Sequence, residues 1–319
     1  MMKNVYLLNK ENDKIDSKVY EDFKLSPAIV LYLRYQFYVL AQKEMYLMKT
    51  LPVALQLYTV RDEMAKSVPE TLKAVKEAGY DYVEPAGLFG LSGEEFKAEL
   101  DKAGLTAVSA HVPLNEMLAN PDEAVATYKT LGCKYFAVPY LGGGERYGDE
   151  GFDAILAGIE KFGKLCHENG LTLVYHNHDF EFEKTADGRY VLDYMYDTIK
   201  PEHLQAELDT CWVNIGGEDP ASYIRKYTGR CPVVHLKDFV GGKTDNMYEL
   251  IGTDQAKAEK SGAFAFRPVG QGVQNFPEIL AASIEAGAQF VIVEQDDTND
   301  IPCLDAAKIS RDYLKSLGW

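Results

Sequence analysis

The sequence has few cysteines and lacks a long apolar run. Its five cysteines are widely spaced and never form a C-x-x-C pair: Cys133, Cys166, Cys211, Cys231 and Cys303. This pattern argues against a disulfide framework or a zinc knuckle and predicts a reducing, cytoplasmic compartment. No stretch of ~18 or more uncharged apolar residues is present, so the sequence predicts no membrane span.

Positive charge is also scarce. The chain has 33 Lys and Arg against 49 Asp and Glu, which gives a formal net charge of −16. Proteins that bind nucleic acid through its phosphates carry the opposite charge, so this balance argues against a nucleic-acid partner. An acidic cleft that holds a cation fits the composition better.

Residues 1–47 differ from the rest of the chain because they lack glycine and carry seven basic and six acidic residues. We interpret them as an N-terminal extension, with the main domain over 48–319. One hypothesis is that the start is mis-set and that Met48 is the true first residue. The alternative is a genuine extension whose region 28–46 forms a docked amphipathic helix.

After Leu51 the sequence alternates helical patterns, a glycine and a short apolar run, which is typical of βαβ units. Each glycine suits the left-handed position just past a helix end. The six glycines at these junctions are Gly79, Gly104, Gly132, Gly170, Gly229 and Gly287. Together with runs near 53–57 and 204–208 they predict eight strands.

Eight strand–helix repeats predict an α/β protein, a single (β/α)8 TIM barrel with an N-terminal extension. A doubly wound sheet is the alternative, but it usually has a glycine fingerprint after its first strand. The segment Gln56-Leu-Tyr-Thr-Val-Arg-Asp62 has no glycine. The repeat is stretched at 179–192, where Ala186-Asp-Gly188 suggests a β-hairpin, and at 239–276. Both excursions follow strand ends, so we expect them over the barrel mouth.

Ionisable residues cluster at the predicted carboxyl ends of the strands, the face where barrels of this kind carry their active sites. They are Glu84, His111, His176, His178, Asp209, His235, Lys237, Asp238 and Glu294. Side chains alternate along a strand, so His176 and His178 point the same way and Asn177 points the other.

His176, Asp209, His235 and Glu294 follow strands five to eight, on one half of the ring. Two imidazoles and two carboxylates suit one divalent ion with a position left open for substrate. We therefore expect a metal site at this half-ring.

Seven segments resemble the xylose isomerase-like barrels of the sugar phosphate isomerase/epimerase group, relatives of tagatose and psicose 3-epimerases, inosose dehydratase and endonuclease IV. The resemblance runs from Pro52 to the C-terminus. The segments are Gln56–Asp62, Ser109-Ala-His111, Tyr175-His-Asn-His-Asp-Phe-Glu-Phe182, Glu207-Leu-Asp209, His235-Leu-Lys-Asp238, Val269-Gly-Gln-Gly272 and Ile292-Val-Glu-Gln295.

The resemblance implies one Mn²⁺, Mg²⁺, Co²⁺ or Zn²⁺ ion held by the same four residues. The epimerases have a glutamate where this chain has His176, and a histidine where it has Trp212. Their mechanism uses two metal-bound glutamates on opposite faces of the sugar, so the departure at His176 favours a one-base reaction. Glu294 is the first candidate for that base and His178 the second, and Lys237 is a candidate to stabilise a developing oxyanion.

For substrate contacts, Glu84 and His111 occupy positions where relatives touch sugar hydroxyls. Trp212 is a candidate apolar wall. Arg267, in the second excursion, is a candidate for a phosphate or carboxylate, although no basic cluster supports a phosphorylated substrate.

The resemblance implies a metal-dependent sugar isomerase or epimerase that acts through an enediolate. One alternative is a metal-dependent lyase or dehydratase acting on a keto sugar, inosose or 3-oxo-glycoside. The other is a non-catalytic sugar-binding barrel, because fold alone does not establish turnover. An endonuclease is disfavoured by the acidic composition. The expected partner is a small sugar or sugar derivative, and relatives often assemble as homo-oligomers.

Overall fold

Ten short strands are present in the described part of the chain. The structure, a computed structural model, describes residues 50–244, 264–298 and 301–319. Eight strands pair in parallel in the order β3-β2-β1-β10-β7-β6-β5-β4, while β8 and β9 form a separate antiparallel pair. The strands are β1 (Val53–Gln56), β2 (Tyr82–Glu84), β3 (Thr106–Ala107), β4 (Tyr135–Val138), β5 (Thr172–His176), β6 (Gln205–Asp209), β7 (Val233–Leu236), β8 (Asp238–Gly241), β9 (Phe264–Arg267) and β10 (Phe290–Val293).

The sheet closes on itself between β3 and β4. The Ala110 carbonyl accepts from Ala137 N at 2.9 Å, and the Ala137 carbonyl accepts from Val112 N at 3.1 Å. His111 forms parallel bridges to both Ala86 and Ala137. The predicted (β/α)8 barrel is therefore confirmed, with β10 as its eighth strand. Closure leaves no exposed sheet edge in the ring.

Helices connect the strands. They are α1 (Arg61–Lys66), α2 (Val68–Glu77), α3 (Gly93–Ala103), α4 (Leu114–Ala119), α5 (Pro121–Thr130), α6 (Phe152–Glu168), α7 (Val191–Thr198), α8 (Thr210–Ile215), α9 (Pro220–Lys226), α10 (Phe276–Ala286) and α11 (Cys303–Ser316), with 3-10 turns at Leu57–Val60 and Phe180–Phe182. All six junction glycines have positive φ, as predicted. Among the described residues, no helix is long and apolar enough to cross a bilayer.

Residues 1–49, 245–263, 299 and 300 are not among those described. The predicted helix over 28–46 and the boundary at residue 47 therefore lie outside the described part of the chain. The division of the chain into an extension over 1–47 and a barrel over 48–319 stays a prediction.

The barrel interior is layered by the two-residue period of its strands. Its lower layer is apolar and mixes small and large side chains: Ala54, Val108, Tyr135, Ala137, Val174, Val233, Phe290 and Ile292. Two residues further along β5, β7 and β10, the positions that follow Val174, Val233 and Ile292 on the same face are polar. They are His176, His235 and Glu294, all buried. The alternation therefore sets the polar site directly on an apolar floor.

The two excursions have different structures. In 179–192 the predicted hairpin is reduced to one antiparallel bridge between Lys184 and Tyr190, because Phe180–Phe182 forms a 3-10 turn instead of a strand. In 239–276 the strands β8 and β9 pair with Asp238 opposite Arg267. The segment between them, 245–263, lies outside the described residues.

The Asp238 carboxylate anchors the second long loop region, 239–276, to the barrel through hydrogen bonds with backbone amides. Its Oδ2 accepts from Gly270 N at 3.0 Å and Gly272 N at 2.8 Å, and its Oδ1 accepts from Phe239 N at 2.9 Å and Gln274 N at 3.2 Å. A Cβ on Gly272 would lie 2.2 Å from Asp238 Oδ1, so only glycine fits there. The Gly-Gln-Gly motif is explained by this close approach.

We predict that Asp238→Ala lowers the free energy of unfolding by about 3 kcal/mol, because buried backbone N–H groups lose their acceptor. Urea unfolding of the full chain measures this loss. The control is Asp197→Ala, since Asp197 is exposed and pairs only at the surface. Equal losses in the two variants would contradict the assignment of Asp238 as the anchor of the loop.

Candidate active site

The four predicted metal ligands meet at the mouth of the barrel. One ligand atom from each of His176, Asp209, His235 and Glu294 lies within 4.8 Å of the others, and all four residues are buried. His176 Nε2 is 3.7 Å from Asp209 Oδ2 and 3.8 Å from Glu294 Oε2. His235 Nδ1 is 2.8 Å from Glu294 Oε2. The two nitrogen and two oxygen donors fit a divalent transition ion.

Asp209 is held in a way that leaves one oxygen available to an ion. Its Oδ1 accepts from Trp212 N at 3.0 Å. Its Oδ2 is buried and makes no hydrogen bond of good geometry, although Lys237 Nζ is 3.0 Å away. Because a buried carboxylate oxygen without a hydrogen bond is costly, this atom is well suited to metal coordination.

A second layer of carboxylates lies beneath these ligands. Glu207 Oε1 is 2.7 Å from His111 Nε2, 3.3 Å from His176 Nδ1 and 3.2 Å from His235 Nε2. Glu84 Oε2 is 2.9 Å from His235 Nε2. A carboxylate that accepts a hydrogen bond from one imidazole N–H orients the ring and directs its other nitrogen to a metal. His111, His176, Glu207 and His235 also satisfy the spacing of a metal-binding group.

The first strand supports this second layer. Gln56 Nε2 donates to Glu84 Oε2 at 2.7 Å, and Gln56 Oε1 accepts from Tyr58 N at 2.9 Å. Arg61 donates to the carbonyls of Tyr58 and Asp296 at 2.9 and 2.8 Å. The segment Gln56–Asp62 therefore joins the first and eighth strands at the mouth.

Lys237 forms a buried ion cluster with three carboxylates. Its Nζ is 3.0 Å from Asp209 Oδ2, 2.9 Å from Glu294 Oε2 and 3.0 Å from Asp296 Oδ2, and the side chain is 1% exposed. Two other nearby acidic residues have different partners: Asp238 accepts from the amides of the loop at 270–274, and Glu207 lies one layer lower beside the histidines.

Electrostatics set the protonation of the site. Burial lowers the pKa of His176 to about 4, so its imidazole is neutral at neutral pH and has a lone pair for a ligand bond. Burial opposes ionisation of Glu294, but Lys237 and His235 hold the pKa of this carboxyl well below its usual range. Burial also raises the pKa of Asp296 to about 6.

A cavity of about 310 Å³ opens above the site and lies at the small end of the range for ligand pockets, ~300–1,000 Å³. Its lining includes the predicted residues His111, His176, His178, Lys237 and Glu294. It also includes Tyr58, Ala86, Gly87, Pro113, Glu116, Pro139, Tyr140 and Asp296. His176 and His178 both line it, in agreement with the predicted alternation along β5.

Three predicted substrate contacts lie outside this lining. Glu84 is fully buried in the second layer. Trp212 is fully buried behind the wall, with its ring 5.3 Å from that of His178 and the Lys237 ammonium 5.5 Å from its centroid. Arg267 is half-buried and donates to the Phe266 carbonyl at 2.9 Å. Their roles toward substrate stay predictions.

Sequence reasoning missed Tyr58 and Asp296 as cavity residues and Glu207 as the centre of the second layer. A signal for Glu207 was present, because residues two apart on a strand share a face and Glu207 precedes Asp209 by two. Asp296 follows Glu294 by two in the same way.

Comparison with known proteins agrees with the barrel fold. A sequence profile described as the xylose isomerase-like TIM barrel matches residues 72–317. The chain belongs to this family.

Curated relatives of the family include inosose dehydratase of Geobacillus kaustophilus (strain HTA426), which is 26% identical over 276 residues, 78% of this chain and 86% of that protein. Further inosose dehydratases match over about half of their own length.

The fold is shared with a sugar phosphate isomerase/epimerase from Parabacteroides distasonis (TM-score 0.66, 21% identity, 84% of this chain and 94% of that one). It is also shared with a probable 3-DHS dehydratase from Bacillus anthracis (TM-score 0.64, 14% identity, 83% and 99%). The same fold therefore occurs in proteins described as an isomerase/epimerase and as a dehydratase.

We predict that Asp209→Asn lowers the metal content of the full chain after loading with Mn²⁺, Co²⁺ or Zn²⁺ from about one ion to a small fraction of one, since a ligand loses its charge. Elemental mass spectrometry measures this. Asp197→Asn, which removes an exposed carboxylate, is the matched control. Full occupancy in Asp209→Asn would contradict the assignment of the ligands.

We further predict that Glu207→Gln weakens metal affinity by roughly 10–100-fold while the four ligands stay in place, because outer carboxylates orient ligand histidines. Competition with a chromogenic chelator measures the affinity, and circular dichroism checks the fold. Glu94→Gln, on the exposed face of α3, should leave the affinity unchanged. If Glu207→Gln behaves like Glu94→Gln, the second layer does not control the ligand set.

Proposed function

We propose that this protein is a divalent-metal-dependent dehydratase that removes water from a keto sugar or keto polyol. The observation that carries the proposal is the contact between Glu294 and Lys237, a carboxylate and an ammonium 2.9 Å apart on one wall of the cavity. A base and an acid on the same side suit elimination of water from adjacent carbons.

The same geometry disfavours epimerisation, which needs a base on each face of the ring. His176 stands where the epimerases have the second metal-bound glutamate. The carboxylates that line the cavity are Glu116, Glu294 and Asp296. Glu116 is exposed, and both Asp296 and Glu294 contact Lys237. In the described lining, the buried carboxylates therefore all lie on one wall of the cavity, and none lies opposite Glu294.

In the proposed reaction the Glu294 carboxylate takes the proton from the carbon beside the carbonyl. The electron pair of that C–H bond forms the enolate, which then expels the hydroxyl group on the next carbon. Lys237 donates a proton to the departing hydroxyl, which leaves as water. Glu294 then returns its proton to Lys237 across their contact, so the site is restored without another reactant.

His176, Asp209, His235 and Glu294 would hold the ion. When bound, a divalent ion would polarise the carbonyl and offset the negative charge that develops on its oxygen. The curated similarity to inosose dehydratase over most of the chain supports a keto polyol ring as the substrate class.

A sugar isomerase is the second candidate. His178 lines the same cavity, and its ring lies 5.3 Å from that of His176, so a second proton carrier is available for a shift between neighbouring carbons. A non-catalytic sugar-binding barrel remains the third hypothesis and would bind sugar with or without a metal.

Product analysis separates these functions. We predict that the Mn²⁺-loaded full chain, incubated with scyllo-inosose in D₂O, yields a product that has lost one water. An isomerase would give a product of unchanged composition that carries solvent deuterium, and a binding protein would give none.

We also predict that Lys237→Gln lowers kcat by about 10²–10⁴-fold while metal content is retained, because the acid is lost but no ligand is. Lys243→Gln is the control, since this exposed lysine near the mouth pairs with Asp179 and not with Glu294. Unchanged turnover in Lys237→Gln would rule out its role as the acid.

A further inference from the structure

A second cavity lies beside the active site and is not used by the proposed reaction. Its volume is about 330 Å³, and it is formed by the loops that follow β4 and β5. Residues that line it include Gly143, Arg146, Tyr147, Asp149, Phe180 and Glu183. None of these lines the cavity above the ligand cluster.

The two cavities lie next to each other, and residues that line one contact residues that line the other. Tyr140 lines the first cavity, and its hydroxyl is bonded to the guanidinium of Arg146, which lines the second. The Arg146 guanidinium carbon lies 3.8 Å from the centroid of the Phe180 ring. Phe180 also stacks on His178, which lines the first cavity, with centroids 5.7 Å apart and an interplanar angle of 7°. These contacts make the two cavities direct neighbours.

The charges of the second cavity disfavour an anionic ligand. Its lining has three carboxylates, Asp149, Glu181 and Glu183, against the single guanidinium of Arg146. Arg146 already donates through Nε to the Leu141 carbonyl at 3.0 Å and through a terminal nitrogen to Tyr140. A phosphate or carboxylate ligand would therefore be repelled by the carboxylates, and the Arg146 guanidinium could not bind it with two parallel N–H donors.

The lining suits an uncharged ring rich in hydroxyl groups. Asp149 Oδ2 accepts from Gly144 N and Arg146 N, both at 3.0 Å, which holds this carboxylate at the cavity by one oxygen. Carboxylate acceptors can receive the hydroxyl protons of a sugar. The rings of Tyr147 and Phe152 also line the cavity and supply apolar surface for its C–H groups.

We propose that the second cavity is a subsite for an uncharged sugar ring next to the reacting ring. The inference rests on the proposed function, because it takes a sugar in the first cavity as given. The ring can come from two sources: the outer ring of a glycoside whose keto ring is in the first cavity, or a separate monosaccharide. A glycoside source would make the substrate larger than a single inosose ring.

The test obstructs each cavity in turn. Gly143→Phe adds a large side chain to a residue that lines the second cavity, and the change should not disturb the fold, because a Cβ there meets nothing within 4 Å and the backbone is not in the left-handed region. Gly242→Phe is the matched control, since Gly242 has the same open surroundings and lines neither cavity. Ala86→Phe obstructs the first cavity.

Binding is measured by calorimetric titration of the metal-loaded full chain with D-glucose, D-galactose, myo-inositol, cellobiose, lactose and glucose 6-phosphate.

For a glycoside, we expect Gly143→Phe to weaken binding of a disaccharide by about tenfold or more and to leave single-ring binding intact. For a separate monosaccharide, we expect Gly143→Phe to reduce the number of bound rings from two to one. Gly242→Phe should change neither.

The proposal is overturned if Gly143→Phe alters the binding of no probe, including the case in which none binds, or if it weakens glucose 6-phosphate alone. Ala86→Phe reports on the proposed function separately. Binding that is lost in Ala86→Phe but insensitive to Gly143→Phe leaves a sugar in the first cavity and removes only the subsite.

Discussion

Burial of negative charge at the barrel mouth is the constraint on which the rest of the site depends. Five carboxylates, from Glu84, Glu207, Asp209, Glu294 and Asp296, are buried there. Unpaired buried charges are strongly unfavourable, so each must meet a cation or a hydrogen-bond donor. Lys237 compensates the three upper carboxylates, those of Asp209, Glu294 and Asp296. The histidines compensate the two lower ones, those of Glu84 and Glu207. A divalent ion at the upper group would offset more of the same charge, which is why a metal site and this charge distribution belong together.

The barrel makes such burial possible because its strands deliver polar side chains at a fixed depth. The same face of β7 carries Val233 in the apolar floor and His235 in the site, and β10 does likewise with Ile292 and Glu294. A closed ring fixes the positions of these side chains relative to one another. The loops then add what the strands cannot: the wall formed by Tyr140 and Phe180, and the excursion that Asp238 fastens to the barrel.

Much of this arrangement follows from strand periodicity alone. The eight strands and the meeting of His176, Asp209, His235 and Glu294 were predictable because parallel strands end at one face. The depth of each side chain in the barrel was harder to predict, because Glu207 and Asp209 share a face of β6 but occupy different layers. Asp238 looked like a site residue at a strand end, yet the chain continues as β8 and directs that carboxylate to the amides of 270–274. Trp212 follows Asp209 closely in sequence, but α8 turns it behind the wall.

The two overlapping groups of residues that could hold a metal ion are not equivalent, because an imidazole has only two nitrogens. His176 turns Nδ1 to Glu207 and Nε2 to Asp209 and Glu294, while His235 turns Nε2 to Glu207 and Glu84 and Nδ1 to Glu294. His176 is neutral, so with its proton on Nδ1 toward Glu207 its Nε2 lone pair faces the upper group. Burial opposes a charge on His235, but Glu207, Glu84 and Glu294 hold its pKa well above the usual range, so an ion in the upper group would have to displace the Nδ1 proton that faces Glu294. An ion in the lower group would instead leave Asp209 Oδ2 without a hydrogen bond or ligand bond. The contacts of Glu207 and Glu84 with the lower nitrogens would therefore favour an ion beside the cavity.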